Sequence, residues 1–210
     1  MPGFEQLAGF LLAAVLITAS PGPDNLLVLG MGLSQGRRQG IAFGLGCAMG
    51  CLWHTLLAVA GVSVLLAASP LAFALLQLAG GAYLIWLGVQ ALRSRGGARA
   101  AADVGAGASL NRLFWRGVLA NAINPKVALF FLSFLPQFVV GGHGAVPLQM
   151  AVLGAVFTAQ AALLFGLLGY FAGRLGGVLE RSPRIGLWLD RIAGGVFIAL
   201  GLRLMLMVAH

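Results

Sequence analysis

Long apolar stretches separated by short polar or glycine-rich stretches dominate the chain. The apolar segments lie at approximately 5–34, 40–66, 71–93, 112–140, 147–173 and 187–208. A membrane-spanning helix needs about 20 predominantly apolar residues. No alternating pattern of the kind typical of strands is evident. The pattern therefore predicts an all-α membrane protein in which six transmembrane helices form a single domain over residues 1–210.

Two breaks that contain proline interrupt the first and fourth segments, and each break carries an ionisable residue. The first has the sequence Ser-Pro-Gly-Pro-Asp-Asn at 20–25 and holds Asp24, whereas the second has Asn-Pro-Lys at 124–126 and holds Lys126. A charge at bilayer depth costs roughly 2.5–3.5 kcal/mol, so it marks a functional site unless it is paired. A broken helix at that depth is tolerated where it is buried in protein or lines a cavity. The breaks predict a transporter with a substrate site near the membrane midplane.

Helix-start signals place a new half-helix after each break. Ser20 and Asn124 are suited to N-caps, and proline is favoured at the first helical position. Each start presents unpaired backbone N–H groups and the positive end of a helix dipole, which together bind anions. We therefore expect half-helices to begin at Pro21 or Pro23 and at Pro125. The residues expected to act as hinges are Ser20, Pro21, Gly22, Pro23 and Pro125.

The two halves of the chain resemble each other. Pro21 and Pro125 open apolar half-helices 104 positions apart, and Ala-Gly-Gly-Ala-Tyr at 79–83 is similar to Ala-Gly-Gly-Val-Phe at 193–197. Three spans per repeat is an odd number, so the halves must have opposite orientations, as in many secondary transporters. The predicted parts are repeat 1 at about 1–93, a cytoplasmic linker at 94–111 and repeat 2 at about 112–210.

The charges follow the loops that this arrangement predicts. Lysine and arginine number 13 against 5 acidic residues, and the second and fourth loops contain neither lysine nor arginine. The positive-inside rule then makes the first, third and fifth loops cytoplasmic and places both termini outside. This distribution accounts for the net charge of +8 without nucleic acid as a partner.

Asp24 and Lys126 define the predicted substrate site. A zwitterion would place its carboxylate toward the half-helix starts and Lys126, and its ammonium toward Asp24. Asn25, Asn121 and Asn124 lie near the breaks and offer further hydrogen bonds to the substrate. Because burial disfavours a charged carboxylate, Asp24 is also the candidate for proton coupling. The alternative is that Asp24 and Lys126 pair with each other and lock the fold.

Two further patterns predict helix packing. His54 and Gln160 lie inside the second and fifth segments, where we interpret the histidine as a packing residue and the glutamine as a bridge between helices. Glycines spaced by four residues let helix backbones approach closely, within one chain or between the chains of a homodimer. These glycines are Gly36, Gly40 and Gly44, and Gly169, Gly173 and Gly177.

Several of these motifs resemble the signatures of the lysine exporter (LysE/RhtB) family over essentially the whole chain. They are the motif at 20–25, the stretch from Asn-Pro-Lys at 124–126 through Leu-Pro-Gln-Phe at 135–138, and the third-segment motif at 80–88. The resemblance implies a bacterial inner-membrane exporter of amino acids or their derivatives, driven by proton exchange and using no cofactor. Lysine, arginine, homoserine, threonine and leucine are substrates that the family implies. The aspartate in the first motif looks more like the homoserine/threonine branch.

Other classes of function remain alternatives. A metal-ion exporter would use the hard oxygen ligands of Asp24, Asn25 and Asn124, although the neighbouring Lys126 opposes a cation. A thiol–disulfide carrier needs two cysteines that can meet, and here Cys47 and Cys51 fall in one segment instead of one in each half. They are interpreted as small hydrophobic residues. A membrane hydrolase would need a nucleophile beside a base, and no such motif is recognisable, so we predict neither an enzyme nor a metal site.

Overall fold

The computed structural model describes residues 2–62, 69–94, 108–142, 144–181 and 183–208, and these residues form helices and connecting turns without a strand. The all-α prediction is therefore confirmed for this part of the chain. The helices are α1 Phe4–Ala19, α2 Pro23–Ser34, α3 Arg37–Leu57, α4 Pro70–Arg93, α5 Leu110–Ala122, α6 Pro125–Leu129, α7 Val146–Arg181 and α8 Pro183–Val208. A π-helical turn, Ala58–Val62, continues α3, whereas α6 continues through a π-helical turn, Phe130–Phe134, and a 3-10 turn, Leu135–Phe138.

The first predicted break separates α1 from α2, which meet at 55°. The new half-helix begins at Pro23 and not at Pro21, because Gly22 is extended with φ −171° and ψ 179°. A residue that precedes proline is biased toward such an extended backbone. The prediction that Ser20 is an N-cap is wrong: its hydroxyl donates to the carbonyl of Ile17 at 2.7 Å, so Ser20 belongs to the end of α1.

The second predicted break separates α5 from the helix that starts at Pro125, and the two meet at 52°. Asn124 is the N-cap, since its side-chain Oδ1 accepts the backbone N–H of Lys126 at 3.0 Å. Both the start at Pro125 and the cap are confirmed. The π-helical turn places Phe130, Phe131 and Phe134 in the protein interior, where each has no exposed surface.

Only some of the six predicted transmembrane helices are long and apolar enough, within the described residues, to cross a membrane. Within the described residues, three helices are long and apolar enough to cross a membrane: Arg37–Gly61, Leu71–Arg93 and Val146–Ala172. Counting each bent pair as one span gives up to five. The sixth predicted segment lies in α8, which is not among these helices, so the count of six spans stays a prediction.

Where the structure describes them, most predicted segment boundaries lie within three residues of the helix ends, whereas α8 begins at Pro183, before the predicted start at 187. The helix α7 continues through Arg181, past the predicted end at 173, because the chain meets no proline between Pro147 and Pro183. Residues 63–66 of the second segment, most of the predicted linker at 94–111 and His143 in the fourth loop lie outside the described residues.

Helix packing relates the two halves of the chain. The helix α3 packs along α7 and α5, α4 packs along α8, and α1 and α2 pack against α7. If the two halves of the chain are compared, α3 corresponds to α7, α4 to α8, and α1 with α2 to the broken helix that starts with α5. The contact of α3 with α5 then corresponds to the contact of α7 with α1 and α2, and the pairs α3–α7 and α4–α8 correspond to themselves. The inverted repeat itself stays a prediction.

Glycine allows the helix backbones to touch, as the spacing predicts. A Cβ added to Gly40 would lie 2.8 Å from the Cα of Gly32 and 3.1 Å from the Cα of Gly169. A Cβ on Gly44 would lie 2.8 Å from a backbone carbonyl oxygen on α7. Gly36 does not share this role, because it is the N-cap of α3 with φ +103°. The packing of Gly173 and Gly177 lies outside what the structure describes.

Candidate functional site

Reciprocal hydrogen bonds join the two breaks in the protein interior. Asp24, the second residue of α2, accepts at Oδ2 from the Nδ2 of Asn121 in the last turn of α5, at 2.7 Å. Lys126, the second residue of α6, donates from Nζ to the carbonyls of Ile17 and Ser20 at the end of α1, at 3.0 and 3.1 Å. The charged residue that begins each second half-helix thus contacts the end of the opposite first half-helix.

Asp24 and Lys126 do not pair directly. Both are buried, at 2% and 5% exposure, and they line the same cavity. Asp24 Oδ1 has no hydrogen-bond partner among the described residues, and the ammonium of Lys126 points instead to the two carbonyls of α1. These carbonyls form the negative end of a helix dipole, and the ring of Phe197 lies 5.5 Å from the Lys126 Nζ. The alternative of a direct pair that locks the fold is therefore not what this structure contains.

An unbroken helix from the other half of the chain holds each break. Gln160 on α7 donates from Nε2 to the hydroxyl of Thr18 at 2.9 Å, and Asn25 donates to the carbonyl of Thr18 at 2.8 Å. His54 on α3 is buried and donates from Nε2 to the carbonyl of Asn121 at 2.9 Å. The predicted packing role of His54 and the predicted bridge by Gln160 are both confirmed.

A small cavity lies between the two breaks. Its polar lining consists of Thr18, Asp24, Asn25, Cys51, Asn121 and Lys126, and its apolar lining consists of Ile17, Val127, Phe130, Phe157 and Phe165. The cavity volume is about 10 Å³, which is close to the smallest space that holds one water molecule. An amino acid does not fit, so the structure shows this region closed around its polar groups.

The polar groups of the cavity are only partly satisfied. Three of its oxygens, Asp24 Oδ1, Asn25 Oδ1 and Asn121 Oδ1, are buried and accept no hydrogen bond within the described part of the chain. A buried polar atom without a partner costs about 1–3 kcal/mol. At Lys126, an ammonium has three N–H groups and two of them are used on carbonyls. The cavity can therefore accept hydrogen bonds at these three oxygens and bind an anion at the ammonium of Lys126.

Not every predicted site residue reaches the cavity. Asn124 is buried but is absent from the lining, because its side chain caps α6. Pro23 and Pro125 are exposed, whereas Pro21 and Gly22 are half-buried. Gly22 matters for packing, since a Cβ at this position would lie 2.7 Å from the Lys126 Nζ.

Sequence reasoning missed some of the cavity. Thr18 and Cys51 belong to its polar lining, and Phe130, Phe157 and Phe165 form its aromatic wall. The signal for Thr18 is a polar side chain in the last turn of α1, directly before the first break. The aromatic residues come from two helices that no local pattern connects.

The structure does not favour the redox or metal alternatives. Cys47 and Cys51 are free thiols without exposed surface, and the Cys51 Sγ donates to the Cys47 carbonyl at 3.7 Å. Exchange requires a thiolate that a partner can reach. Over the described residues, no three side chains of histidine, cysteine, aspartate or glutamate come together in a group that could hold a metal ion.

Known proteins match the chain along most of its length. The model of the family described as LysE type translocator matches residues 15–208. The chain is 34% identical over 196 residues to an uncharacterized membrane protein of Vibrio cholerae, covering 93% of this chain and 94% of that protein. It is 36% identical over 140 residues to a homoserine/homoserine lactone efflux protein of Salmonella typhimurium, covering 65% and 66%. It is 32% identical over 130 residues to a leucine efflux protein of an Enterobacter strain, covering 62% of each. No solved structure matches the chain.

Proposed function

The chain belongs to the LysE type translocator family, and from this premise we propose that it exports an amino acid from the cytoplasm in exchange for protons. The relatives named as homoserine/homoserine lactone and leucine efflux proteins support a small amino-acid substrate. One observation carries the proposal: among the described residues, the cavity between the breaks holds an aspartate oxygen without a partner and a lysine whose ammonium makes two hydrogen bonds out of a possible three.

The ammonium group of the substrate binds at the aspartate side of the cavity. Asp24 Oδ1, Asn25 Oδ1 and Asn121 Oδ1 are acceptors that lack donors, and an α-ammonium supplies three. A charge-assisted hydrogen bond to Asp24 is about twice as strong as a neutral one. The three oxygens thereby gain partners at the step in which substrate enters.

The carboxylate of the substrate binds at the lysine side. The remaining N–H group of Lys126 and the N-terminus of α2, with its unpaired backbone N–H groups, offer the donors. Discontinuous helices in other transporters hold substrate carboxylates in this way. Asn124 fixes Lys126 through the cap, and its buried amide nitrogen, which lacks a partner, is proposed as a further donor once the site opens.

Movement of the two halves opens the cavity to each side in turn. We place the repeats at about 1–93 and 112–210, in opposite orientations, with six spans in the inner membrane and periplasmic termini. The packing pairs described above support this arrangement. Hinges at Ser20, Pro21, Gly22, Pro23 and Pro125 change the angles of 55° and 52° between the half-helices. Opening then requires the Asp24–Asn121 bond or the bonds of Lys126 to α1 to break.

Proton exchange follows from competition at Asp24. A carboxylate that carries either a proton or an ammonium group cannot carry both. On the periplasmic side a proton displaces the ammonium, and the protonated Asp24 returns empty to the cytoplasmic side. Substrate then binds there and releases the proton, so one proton enters for each amino acid that leaves.

Efflux from proteoliposomes tests this function. Labelled homoserine, leucine and lysine are loaded, and export is compared with and without a proton gradient for wild type and Asp24→Asn. We expect gradient-dependent export of at least one amino acid and its loss in the variant. Glu5→Gln makes the same chemical change at an exposed position and serves as the control. Wild-type flux from correctly inserted Asp24→Asn protein would overturn the role of Asp24, and no flux of any amino acid from wild type would overturn the function.

A further inference from the structure

We propose that a second site, at one membrane boundary, holds the headgroup phosphate of an anionic phospholipid. It is a crevice between the turn that joins α2 to α3 and the end of the span in α7. Its lining consists of Gly32, Gly36, Arg37, Tyr170, Phe171 and Arg174, and its volume is about 540 Å³. The crevice shares none of its lining with the cavity between the breaks. This inference is independent of the proposed export function.

Two arginines give the crevice its charge. Arg37 and Arg174 are exposed, and neither has a carboxylate partner among the residues that the structure describes. Among the side chains that the structure describes, no acidic residue belongs to the lining. A guanidinium presents its N–H groups in a planar fork that matches phosphate oxygens, and it is weakly hydrated compared with an ammonium. Two such groups at one crevice attract a phosphate.

An aromatic pair fixes one of these arginines. The Arg37 guanidinium carbon lies 5.2 Å from the centroid of the Tyr170 ring, and that ring packs edge to face on Phe171 at 4.8 Å. A cation over an aromatic face is stabilised by the ring. Arg37 is therefore oriented before a ligand arrives, which lowers the entropy lost on binding.

The crevice lies at the depth of lipid headgroups. The span in α3 begins at Arg37, and the span in α7, Val146–Ala172, ends two residues before Arg174. Tyrosine is enriched at this level of membrane proteins, as Tyr170 illustrates. Basic pockets between transmembrane helices are typical sites for anionic headgroups.

A stripe along α7 favours a phospholipid over a free anion. Leu163 and Leu167 are exposed, at 63% and 45%, and lie about two turns and one turn, respectively, before Tyr170 on α7. Side chains spaced by three or four residues share one face of a helix, so Leu163, Leu167, Tyr170 and Arg174 follow one another along it. Apolar, aromatic and cationic groups in this order fit an acyl chain, the glycerol region and the phosphate.

Lipid binding by the purified protein tests the proposal. Native mass spectrometry compares adducts of phosphatidylglycerol and phosphatidylcholine with matched acyl chains, for wild type and for Arg37→Ala combined with Arg174→Ala. Each arginine near an anionic surface contributes about fivefold in affinity, so we expect the double variant to bind phosphatidylglycerol about 30-fold more weakly. Arg203→Ala removes an exposed arginine outside the crevice and is expected to bind like wild type.

Further measurements distinguish a bound phospholipid from the other possible results. Equal retention of the two lipids by wild type, or equal retention of phosphatidylglycerol by wild type and the double variant, would overturn the proposal. Inorganic phosphate that displaces phosphatidylglycerol at comparable concentration would assign the crevice to a free anion instead. If the double variant does not fold, a salt titration of wild type decides, because screening must weaken the phosphatidylglycerol adduct. An adduct that survives high salt unchanged would contradict the arginine contacts.

Discussion

Asp24 and Lys126 occupy the same position, the second residue, in the half-helices that follow the two breaks, and they carry opposite charges. Each reaches the end of the opposite first half-helix, through Asn121 in one case and through backbone carbonyls in the other. The cavity therefore has an acidic side from the first break and a basic side from the second. A zwitterionic amino acid has this same polarity.

Removing the side chain of Asn121 is expected to destabilise the closed form. Asn121→Ala removes the side-chain donor to Asp24 that the described residues contain, and a hydrogen bond to a charged group contributes about 1.5–3 kcal/mol. Thermal unfolding in detergent measures the effect. Asn111→Ala changes an exposed asparagine on the same helix and should leave the unfolding temperature unaltered. An equal unfolding temperature for both variants would contradict the contribution of this bond.

A methyl group at Gly22 is expected to displace the Lys126 ammonium. The added Cβ would lie 2.7 Å from Nζ, so Gly22→Ala forces the lysine away from the carbonyls of α1. Overpacking of this kind costs about 1–3 kcal/mol, and export should fall with stability. The control is Gly141→Ala, since a Cβ there meets nothing within 4 Å. Unfolding temperature and efflux of both variants give the measurement, and a Gly22→Ala protein like wild type would exclude the contact.

A free cation is expected to replace the Lys126 ammonium when the side chain is shortened. The ammonium lies at the carbonyl end of a broken helix, which is where other transporters coordinate a coupling cation. Lys126→Ala should lose stability, and methylammonium should restore part of the unfolding temperature. Lys126→Met fills the same space with an apolar chain and should show no such response. Absence of any shift in Lys126→Ala, or an equal shift in both variants, would count against this position of the ammonium.

Neutral amino acids are expected to compete for the substrate site better than basic amino acids. The residues known to line the cavity include one carboxylate, Asp24, and three phenylalanines, so a second ammonium on lysine finds no partner. An unpaired buried charge costs several kcal/mol, which corresponds to more than about 100-fold in affinity. Competition against labelled homoserine or leucine in the efflux assay measures this ratio. Lysine that competes as well as leucine would mean that the open site has an anionic group absent from this lining.

Signals within a few residues of sequence predicted the two breaks, whereas contacts between residues far apart in the sequence determine the geometry of the site. Proline and its cap act within a few residues, so the starts near Pro23 and at Pro125 could be read from the sequence. The half-helix begins at Pro23 because the backbone of Gly22 is extended. Both prolines are compatible with that backbone, so the sequence does not decide between a start at Pro21 and a start at Pro23. Lys126 was assigned to substrate because its charge is visible in the sequence. Its contact with Ile17 joins residues 109 positions apart, which no pattern encodes.

Local patterns also predicted only part of the fold. Four-residue glycine spacing predicted that helix backbones approach closely, but not which helices meet or that Gly36 would be the N-cap of α3 at φ +103°. Runs of apolar residues predicted the segments, although α7 continues to Arg181, past the predicted end at 173. Glycine is tolerated inside a helix, and proline ends it more strictly.

Proton release on substrate binding is the most direct test of the competition at Asp24. Purified protein in weak buffer with a pH-sensitive dye receives the exported amino acid over a range of starting pH values. Wild type and Glu5→Gln should release a proton as substrate binds at one or more of these starting pH values, and Asp24→Asn should release none. Substrate binding to wild type without proton release at any pH, or equal release by Asp24→Asn, would contradict exchange of a proton for an ammonium at this carboxylate.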